Sequence, residues 1–213
     1  MNGNTDPWTV DAADPALGPR ERARLADRAR PDRMAWNAFR ALALWEPDTW
    51  VPALLEVACG PGNPLSALEW SAAAVDPWGA ELAGPDVSDV VLDGPEAVVV
   101  AAATLKAAPP IEQVTAAAVG ALDRSLKGAR QAGLVLVVPP GAQRSEALVG
   151  AATGVALLDG RPASDLLAAT GVVTWTELGR LALDLAEGAG PAPAAVVHQL
   201  VTDLQAAWPE AEI

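Results

Sequence analysis

The residues best suited to chemistry lie on two apolar, β-branched runs between positions 86 and 106. A turn of composition Asp-Gly-Pro-Glu separates the runs, which predicts a β-hairpin. A four-residue turn at this place pairs Leu92 with Ala97. Asp89 then lies opposite Val100, and the alternate residues of the second run share its face. That face is where metal-assisted hydrolysis would need its remaining groups.

Metal-assisted hydrolysis requires a second carboxylate beside Asp89 to hold a divalent ion, and a lysine to position or activate water. The last alternate residues on that face, Ala102, Thr104 and Lys106, include no carboxylate. A single aspartate is a poor Mg²⁺ site, because hard cations need several well-placed oxygen ligands. The sequence therefore predicts that metal-dependent catalysis is lost.

The hairpin and its flanks resemble the core of PD-(D/E)xK restriction-endonuclease-like proteins. In that family an Asp on one strand faces a Glu-x-Lys on its hairpin partner, and a helix that often carries Gln precedes a buried strand. One register places this Glu-x-Lys on Ala102 and Thr104, where both groups are missing, and the other places it on Thr104 and Lys106, where only the carboxylate is missing. Gln113 and the apolar run at 134–138 stand where this helix and strand should be. Segments 33–55 and 173–178 also look like segments that accompany this core in some bacterial members. The resemblance implies a vestigial active site, made of Asp89, Thr104, Lys106 and Gln113.

A second resemblance starts at residues 54–63, Leu-Leu-Glu-Val-Ala-Cys-Gly-Pro-Gly-Asn. This segment is similar to the glycine-rich first motif of Rossmann-like S-adenosylmethionine methyltransferases, in which a strand ends in an acidic residue before a Gly-rich turn. In that family the acid of the second strand holds the ribose hydroxyls. Residues 122–138 also look like the late helix and strand of that fold. This alternative implies S-adenosylmethionine as a cofactor, held near Glu56, Gly60, Gly62 and Asp76.

The two resemblances make opposite predictions for residues 54–59. The methyltransferase alternative requires a buried parallel strand there, whereas the nuclease-like alternative requires a helix. The apolar residues repeat at helical spacing, at Trp50, Leu54, Leu55 and Ala58. The sequence therefore favours a helix and, with it, the nuclease-like alternative.

A third alternative is an active metal-dependent nuclease with a relocated acid. Asp93 and Glu96 could supply that acid, but both lie in the turn, where turn chemistry already accounts for them. The single cysteine, Cys59, and the single histidine, His198, are far apart in the sequence and cannot assemble a zinc site. We therefore expect no metal cofactor, and Mg²⁺ only if the acid is relocated.

The distribution of charge argues against nucleic acid as a partner for most of the chain. The net charge is −13, and seven of the fourteen basic residues lie between Arg20 and Arg40. Residues 41–213 carry 21 acidic and 7 basic residues, which is a net charge of −14. Because phosphate backbones are bound through Lys and Arg, this acidic body should repel nucleic acid. Only the arginine-rich segment could contact it.

The chain should fold as one α/β domain. The nuclease-like resemblance implies a restriction-endonuclease-like mixed β-sheet with an antiparallel hairpin, flanking helices and an N-terminal helical segment. A further strand is expected at 155–158, and the last helix at 194–208. The predicted segments are an irregular lead-in (1–19), the N-terminal helices (20–62), the nuclease-like core (63–187), and a linker with the C-terminal helix (188–213).

These features predict a catalytically inactive nuclease-like protein that serves as a protein-binding or assembly subunit. We expect its partner to be another protein or further copies of the chain. No apolar run reaches 18 residues, so no membrane span is expected. A single cysteine and the lack of an apolar leader predict a cytoplasmic location.

Overall fold

A five-stranded mixed sheet, whose strands lie in chain order, forms the centre of the fold. The computed structural model describes residues 31–76, 87–105, 109–158 and 163–213. The strands are β1 (Ala74–Asp76), β2 (Val87–Asp93), β3 (Ala97–Thr104), β4 (Gln131–Val138) and β5 (Thr170–Thr174). Strands β1 to β3 pair antiparallel, and strands β3 to β5 pair parallel. The predicted α/β class, mixed sheet and antiparallel hairpin are confirmed.

Helices cover both faces of the sheet. In the described residues there are seven α-helices: α1 (Pro31–Leu42), α2 (Pro47–Cys59), α3 (Ile111–Leu126), α4 (Arg144–Ala156), α5 (Ala163–Ala168), α6 (Trp175–Ala186) and α7 (Pro191–Ala207). Helices α1, α2, α6 and α7 pack on one face, and α3, α4 and α5 pack on the other. Side chains from the first and last helices, such as Phe39 and Leu200, join the same apolar cluster as the sheet.

The two central strands are apolar on both faces because helices cover them on both sides. All eight residues of β3 are buried, and β4 is buried from Gly133 to its end. Val99 and Ala101 pack with α1 and α2, whereas Val98 and Val100 pack with α3. This alternation is the one that a pleated strand imposes. Every side chain of β3 therefore has to fit into one of two apolar layers.

Three elements differ from the sequence prediction. Residues 155–158 do not form a strand, since Val155 lies in the last turn of α4; a short apolar run does not separate a strand from a buried helix. Strand β5 has no counterpart among the predicted strands, because Gly171 interrupts its apolar run. The last helix begins at Pro191, inside the predicted linker, because proline fits the first turn of a helix.

The carboxyl end of α2 lies directly on β5, and a glycine permits this contact. A Cβ atom at Gly171 would lie 2.5 Å from Sγ of Cys59 and 2.6 Å from the carbonyl carbon of Ala58. Real Cβ atoms do not approach other atoms within 3.0 Å. Any side chain at this position must therefore move the helix away from the sheet.

Gly171→Ala is expected to lower the free energy of unfolding by about 3 kcal/mol, because the added methyl group overlaps backbone atoms. Urea denaturation followed by tryptophan fluorescence measures the change. Gly150→Ala in α4 is the matched control, since a Cβ atom there meets no atom within 4 Å. That variant should gain roughly 0.5–1 kcal/mol from helix propensity. Equal stabilities for the two variants would contradict the close contact.

Candidate functional site

The register of the hairpin decides which residue lies beside Asp89. In the structure Asp89 pairs with Ala102, and the predicted pairing with Val100 is wrong. The error arises because the loop begins one residue later than expected, since Asp93 still pairs, with Val98. The resulting shift of two residues keeps the parity of the strand, so the same alternate residues of β3 lie on the face of Asp89 as the sequence predicted. The residue directly opposite the aspartate is an alanine.

Apolar side chains fill the sheet face beside this pair. Val98, Val100 and Ala102 pack with Val91 in one buried cluster that α3 covers. Leu134, Leu136 and Val138 of β4 complete the cluster. A divalent ion needs oxygen ligands at roughly 2.0–2.6 Å, and these side chains offer none. The side chain of Asp89 lies outside the described part of the molecule, whereas its backbone pairs with that of Ala102.

The carboxyl end of β3 has a structural role. Thr104 is 1 % exposed, and its carbonyl oxygen accepts a 2.7 Å hydrogen bond from Nε1 of Trp175. Trp175 is the buried first residue of α6, and its ring stacks on Trp208. A position predicted to be a vestige of the active site therefore joins the sheet to α6. Lys106 lies outside the described residues.

Gln113 lies in the first turn of α3, the helix that follows β3 along the chain. Its backbone N–H donates to the carbonyl oxygen of Pro110 at 3.0 Å. Its Oε1 atom is buried and has no hydrogen-bond partner within the described ranges. The structure thus places this glutamine on the predicted helix, one loop away from the end of β3.

The two acids of the turn are held in structural contacts. Asp93 forms an ion pair with Arg130, and Glu96 accepts a 3.0 Å hydrogen bond from the backbone N–H of Glu69. Asp93 stands four residues from Asp89 along β2, which is roughly 13 Å. A backbone separation of this size is too large for the carboxylates of these two residues to hold one ion together.

The glycines at positions 60 and 62 follow a helix. Residues 54–59 lie in α2, and the N–H of Gly60 donates to the carbonyl oxygen of Glu56 at 2.9 Å, which closes the last turn. Gly60 and Gly62 have φ angles of 93° and 78°, the left-handed region that favours glycine. Asp76 ends β1, an edge strand that is antiparallel to β2. The methyltransferase alternative needs a strand at 54–59, and the structure has a helix there. Its assignment of Glu56, Gly60, Gly62 and Asp76 to a cofactor site stays a prediction.

Cysteine and histidine lie on different helices. Cys59 ends α2 and is partly buried, whereas His198 is exposed on α7. Burial raises the pKa of the Cys59 thiol to about 11, so little thiolate exists near neutral pH. Within the described residues, no group of three or more His, Cys, Asp or Glu side chains could hold a metal ion.

Polar groups at the carboxyl end of β5 form a helix cap. Oγ1 of Thr174 accepts a 3.2 Å hydrogen bond from the N–H of Glu177, whose carboxylate accepts a 2.8 Å bond from the N–H of Thr174. Arg144 forms an ion pair with the same carboxylate. Ligands of parallel sheets bind at this edge, but here the groups satisfy one another. Together these bonds form a capping box at the start of α6.

Two clefts have no counterpart in the sequence prediction. One, of about 410 Å³, lies at the amino end of β4 between Leu65, Leu126 and Asp165. The other, of about 230 Å³, lies between α1 and α7 and contains Asn37 and Asp203. A signal for the second existed in the sequence, because Asn37 is a polar residue on the buried face of an apolar helix.

Comparisons with known proteins find no relatives. No family model matches the chain, and neither a curated protein nor a solved structure matches it. None of the helices in the described parts combines the length and hydropathy that a membrane span requires.

S-adenosylmethionine is expected not to bind, because the glycines follow a helix and do not present their amides at the end of a strand. Titration calorimetry with S-adenosylmethionine and with S-adenosylhomocysteine measures this directly. Micromolar binding that is lost in Asp76→Ala would revive the methyltransferase alternative.

The Cys59 thiol is expected to react with iodoacetamide at pH 8 about 100-fold more slowly in the native chain than in urea, because its pKa is raised from 9.0 to about 11. As the pH rises from 9 towards 11, the thiol loses its proton in the unfolded chain before it does so in the native chain. The free energy of unfolding therefore decreases over this range. Mass spectrometry follows the alkylation, and denaturation midpoints follow the stability. Cys59→Ala should remove both effects, and equal rates in the two states would refute the raised pKa.

Proposed function

We propose that this protein has a nuclease-like α/β scaffold, lacks metal-dependent catalysis and acts by binding another protein. The pairing of Asp89 with Ala102 carries the proposal. A two-carboxylate metal site on this hairpin would need an acid at or beside Ala102, and the face there is packed with valine and alanine. The next residue on that face, Thr104, is enclosed at the end of the strand.

The order of elements supports the nuclease-like scaffold. Hairpin β2–β3 is followed by α3, which begins with a turn that contains Gln113, and then by the buried parallel strand β4. This is the order that the resemblance implies. The helix at 54–59 also agrees with the nuclease-like alternative and leaves no strand for the methyltransferase motif.

Surface charge and apolar exposure support a protein partner. The net charge of −14 over residues 41–213 disfavours a polyanion. Arg40, at the end of the arginine-rich segment, lies over the ring of Trp36 at 5.3 Å. Helix α4 exposes Leu148 and Val149, and Leu157, directly after its end, is also exposed, each by more than 40 %. Exposed apolar side chains of this size are found at protein-binding surfaces.

Purified protein is expected not to cleave DNA or RNA in the presence of Mg²⁺ or Mn²⁺, since the residues of β3 opposite Asp89 offer no second carboxylate to hold the ion. Gel assays with supercoiled plasmid and with a labelled RNA test this. Asp89→Ala is the decisive variant, and Asp184→Ala on the exposed side of α6 removes the same charge elsewhere. Metal-dependent cleavage that only Asp89→Ala abolishes would refute the proposal.

A further inference from the structure

The edge of β4 is open next to the start of β5. Strand β4 begins at Gln131, whereas its pairing with β5 begins only at Leu134, opposite Thr170. The chain before β5 forms α5 and therefore supplies no partner strand here. The cleft of about 410 Å³ lies beside this unpaired part of β4, and Gln131, Ala132 and Ala169 are among the residues that line it. We call this place the β4 notch.

The backbone groups of Ala132 point into the β4 notch. On one side of β4, the N–H of Gln131 donates to the carbonyl oxygen of Glu96, next to β3. On the other side, the N–H of Leu134 donates to the carbonyl oxygen of Ala169, next to β5. Successive residues of a strand direct their backbone groups to alternate edges, so the N–H and C=O of Ala132 point to the same side as those of Leu134. Within the described ranges, neither group of Ala132 has a hydrogen-bond partner.

Apolar side chains border the β4 notch on both faces of the sheet. Leu65 belongs to the apolar cluster on the side of α1 and α2, and Leu122 and Leu166 belong to the cluster on the other side. All three line the cleft, together with Leu126, which is 63 % exposed. An extended chain directs successive side chains to opposite faces. A strand added beside Ala132 would therefore meet an apolar wall on each face, and an apolar side chain on it would cover Leu126.

The charged groups at the cleft favour a basic occupant. Asp165 lines the cleft and is exposed, and its carboxylate accepts a 3.3 Å hydrogen bond from Oγ of Ser164. Arg130 also lines the cleft, but it forms an ion pair with Asp93. The net charge of −14 over residues 41–213 adds to the preference for a basic partner, because opposite charges attract across an interface.

The volume of the cleft fits a short piece of polypeptide. At about 410 Å³ it lies within the range of roughly 300–1,000 Å³ that ligand pockets span. A water molecule can bond to Ala132, but it leaves Leu126 exposed. An extended peptide supplies a C=O and an N–H for Ala132 and an apolar side chain for Leu126 at the same time, which is how added strands bind at sheet edges.

We propose that the β4 notch receives an extended segment of a partner protein, which adds to the open edge of β4 as a short strand. The segment places an apolar side chain against Leu126 and carries basic residues beside Asp165. The inference rests on the proposed protein-binding function and names the site and the chemistry of the partner. It is independent of the absence of catalysis, since neither Ala132 nor Asp165 belongs to the hairpin.

Amide hydrogen exchange of the ¹⁵N-labelled full chain tests whether this edge is open. The N–H of Ala132 should exchange at least tenfold faster than the N–H of Gly133, which points to β3. Equal protection of the two amides would show that another group already closes the β4 notch and would overturn the proposal.

Titration of the same chain with acetyl-Lys-Leu-Val-Lys-amide tests the occupant. Saturable shifts of the amide signals of Leu126, Ala132 and Asp165 are expected, with a dissociation constant on the order of 1 mM. The same peptide with N-methyl groups on its leucine and valine nitrogens lacks the main-chain donors and should bind at least tenfold more weakly. The peptide with glutamate in place of both lysines should also bind at least tenfold more weakly, because of Asp165 and the acidic body.

Three variants locate the binding. Ala132→Pro removes the N–H and should weaken binding of the lysine peptide at least tenfold; proline is tolerated there because this N–H points away from the paired edge. Ala132→Ser keeps the N–H, is the matched control and should leave the affinity within threefold. Leu126→Lys replaces an exposed side chain, so it should fold like the native chain, and it should weaken binding at least fivefold.

No saturable shift with the lysine peptide would overturn the proposal and would indicate that water completes Ala132. Equal binding of the N-methylated peptide, equal binding of the glutamate peptide, or unchanged binding to the Leu126→Lys variant would overturn it as well. None of these outcomes depends on cleavage of nucleic acid, so a failure here is distinct from a failure of the proposed function.

Discussion

The burial of β3 on both of its faces is the constraint on which the rest of the structure depends. Two helical layers press on this strand, and every one of its eight residues is buried. Apolar packing is favourable there only if the side chains are small or aliphatic, since an unpaired carboxylate in such a layer is strongly disfavoured. Ala102 opposite Asp89 is a direct result. The alanine opposite Asp89 and the dense packing of the core therefore have the same cause.

The same constraint explains how the sheet is joined to its helices. Strand β3 has no polar side chain before Thr104, so the contact at its end is made through the backbone, where the carbonyl oxygen accepts the indole N–H of Trp175. Trp175 is the first residue of α6, and the hydrogen bonds between Thr174 and Glu177 cap this helix. The edge of the sheet at which many α/β proteins bind ligands is thus occupied by the protein's own connections.

Local patterns in the sequence predict much of this fold. Helical spacing around Leu54, the apolar run of β4 and the cap at Thr174 each depend on neighbouring residues, and each agrees with the structure. The features that the sequence did not predict depend mostly on contacts between residues far apart in the chain. Strand β5 needs α2 against Gly171, and the pair of Asn37 with Asp203 spans 166 residues. The register of the hairpin was also not predicted, because the residues of this turn are compatible with a loop that begins at either of two successive positions.

The contacts of Arg130 with the hairpin tip help to fix the register of the parallel strands. Strand β4 is apolar on both faces, so a shift of β4 along β3 would still bury apolar side chains on both sides. The hydrophobic pattern alone therefore does not fix the register of these two strands. Arg130 directly precedes β4 and bonds to Asp93 and to the carbonyl oxygen of Gly94 at the hairpin tip. The N–H of Gln131 then donates to the carbonyl oxygen of Glu96 at 2.9 Å. These bonds tie the register of the parallel strands to the hairpin. A fragment that lacks the hairpin tip would therefore sample several registers.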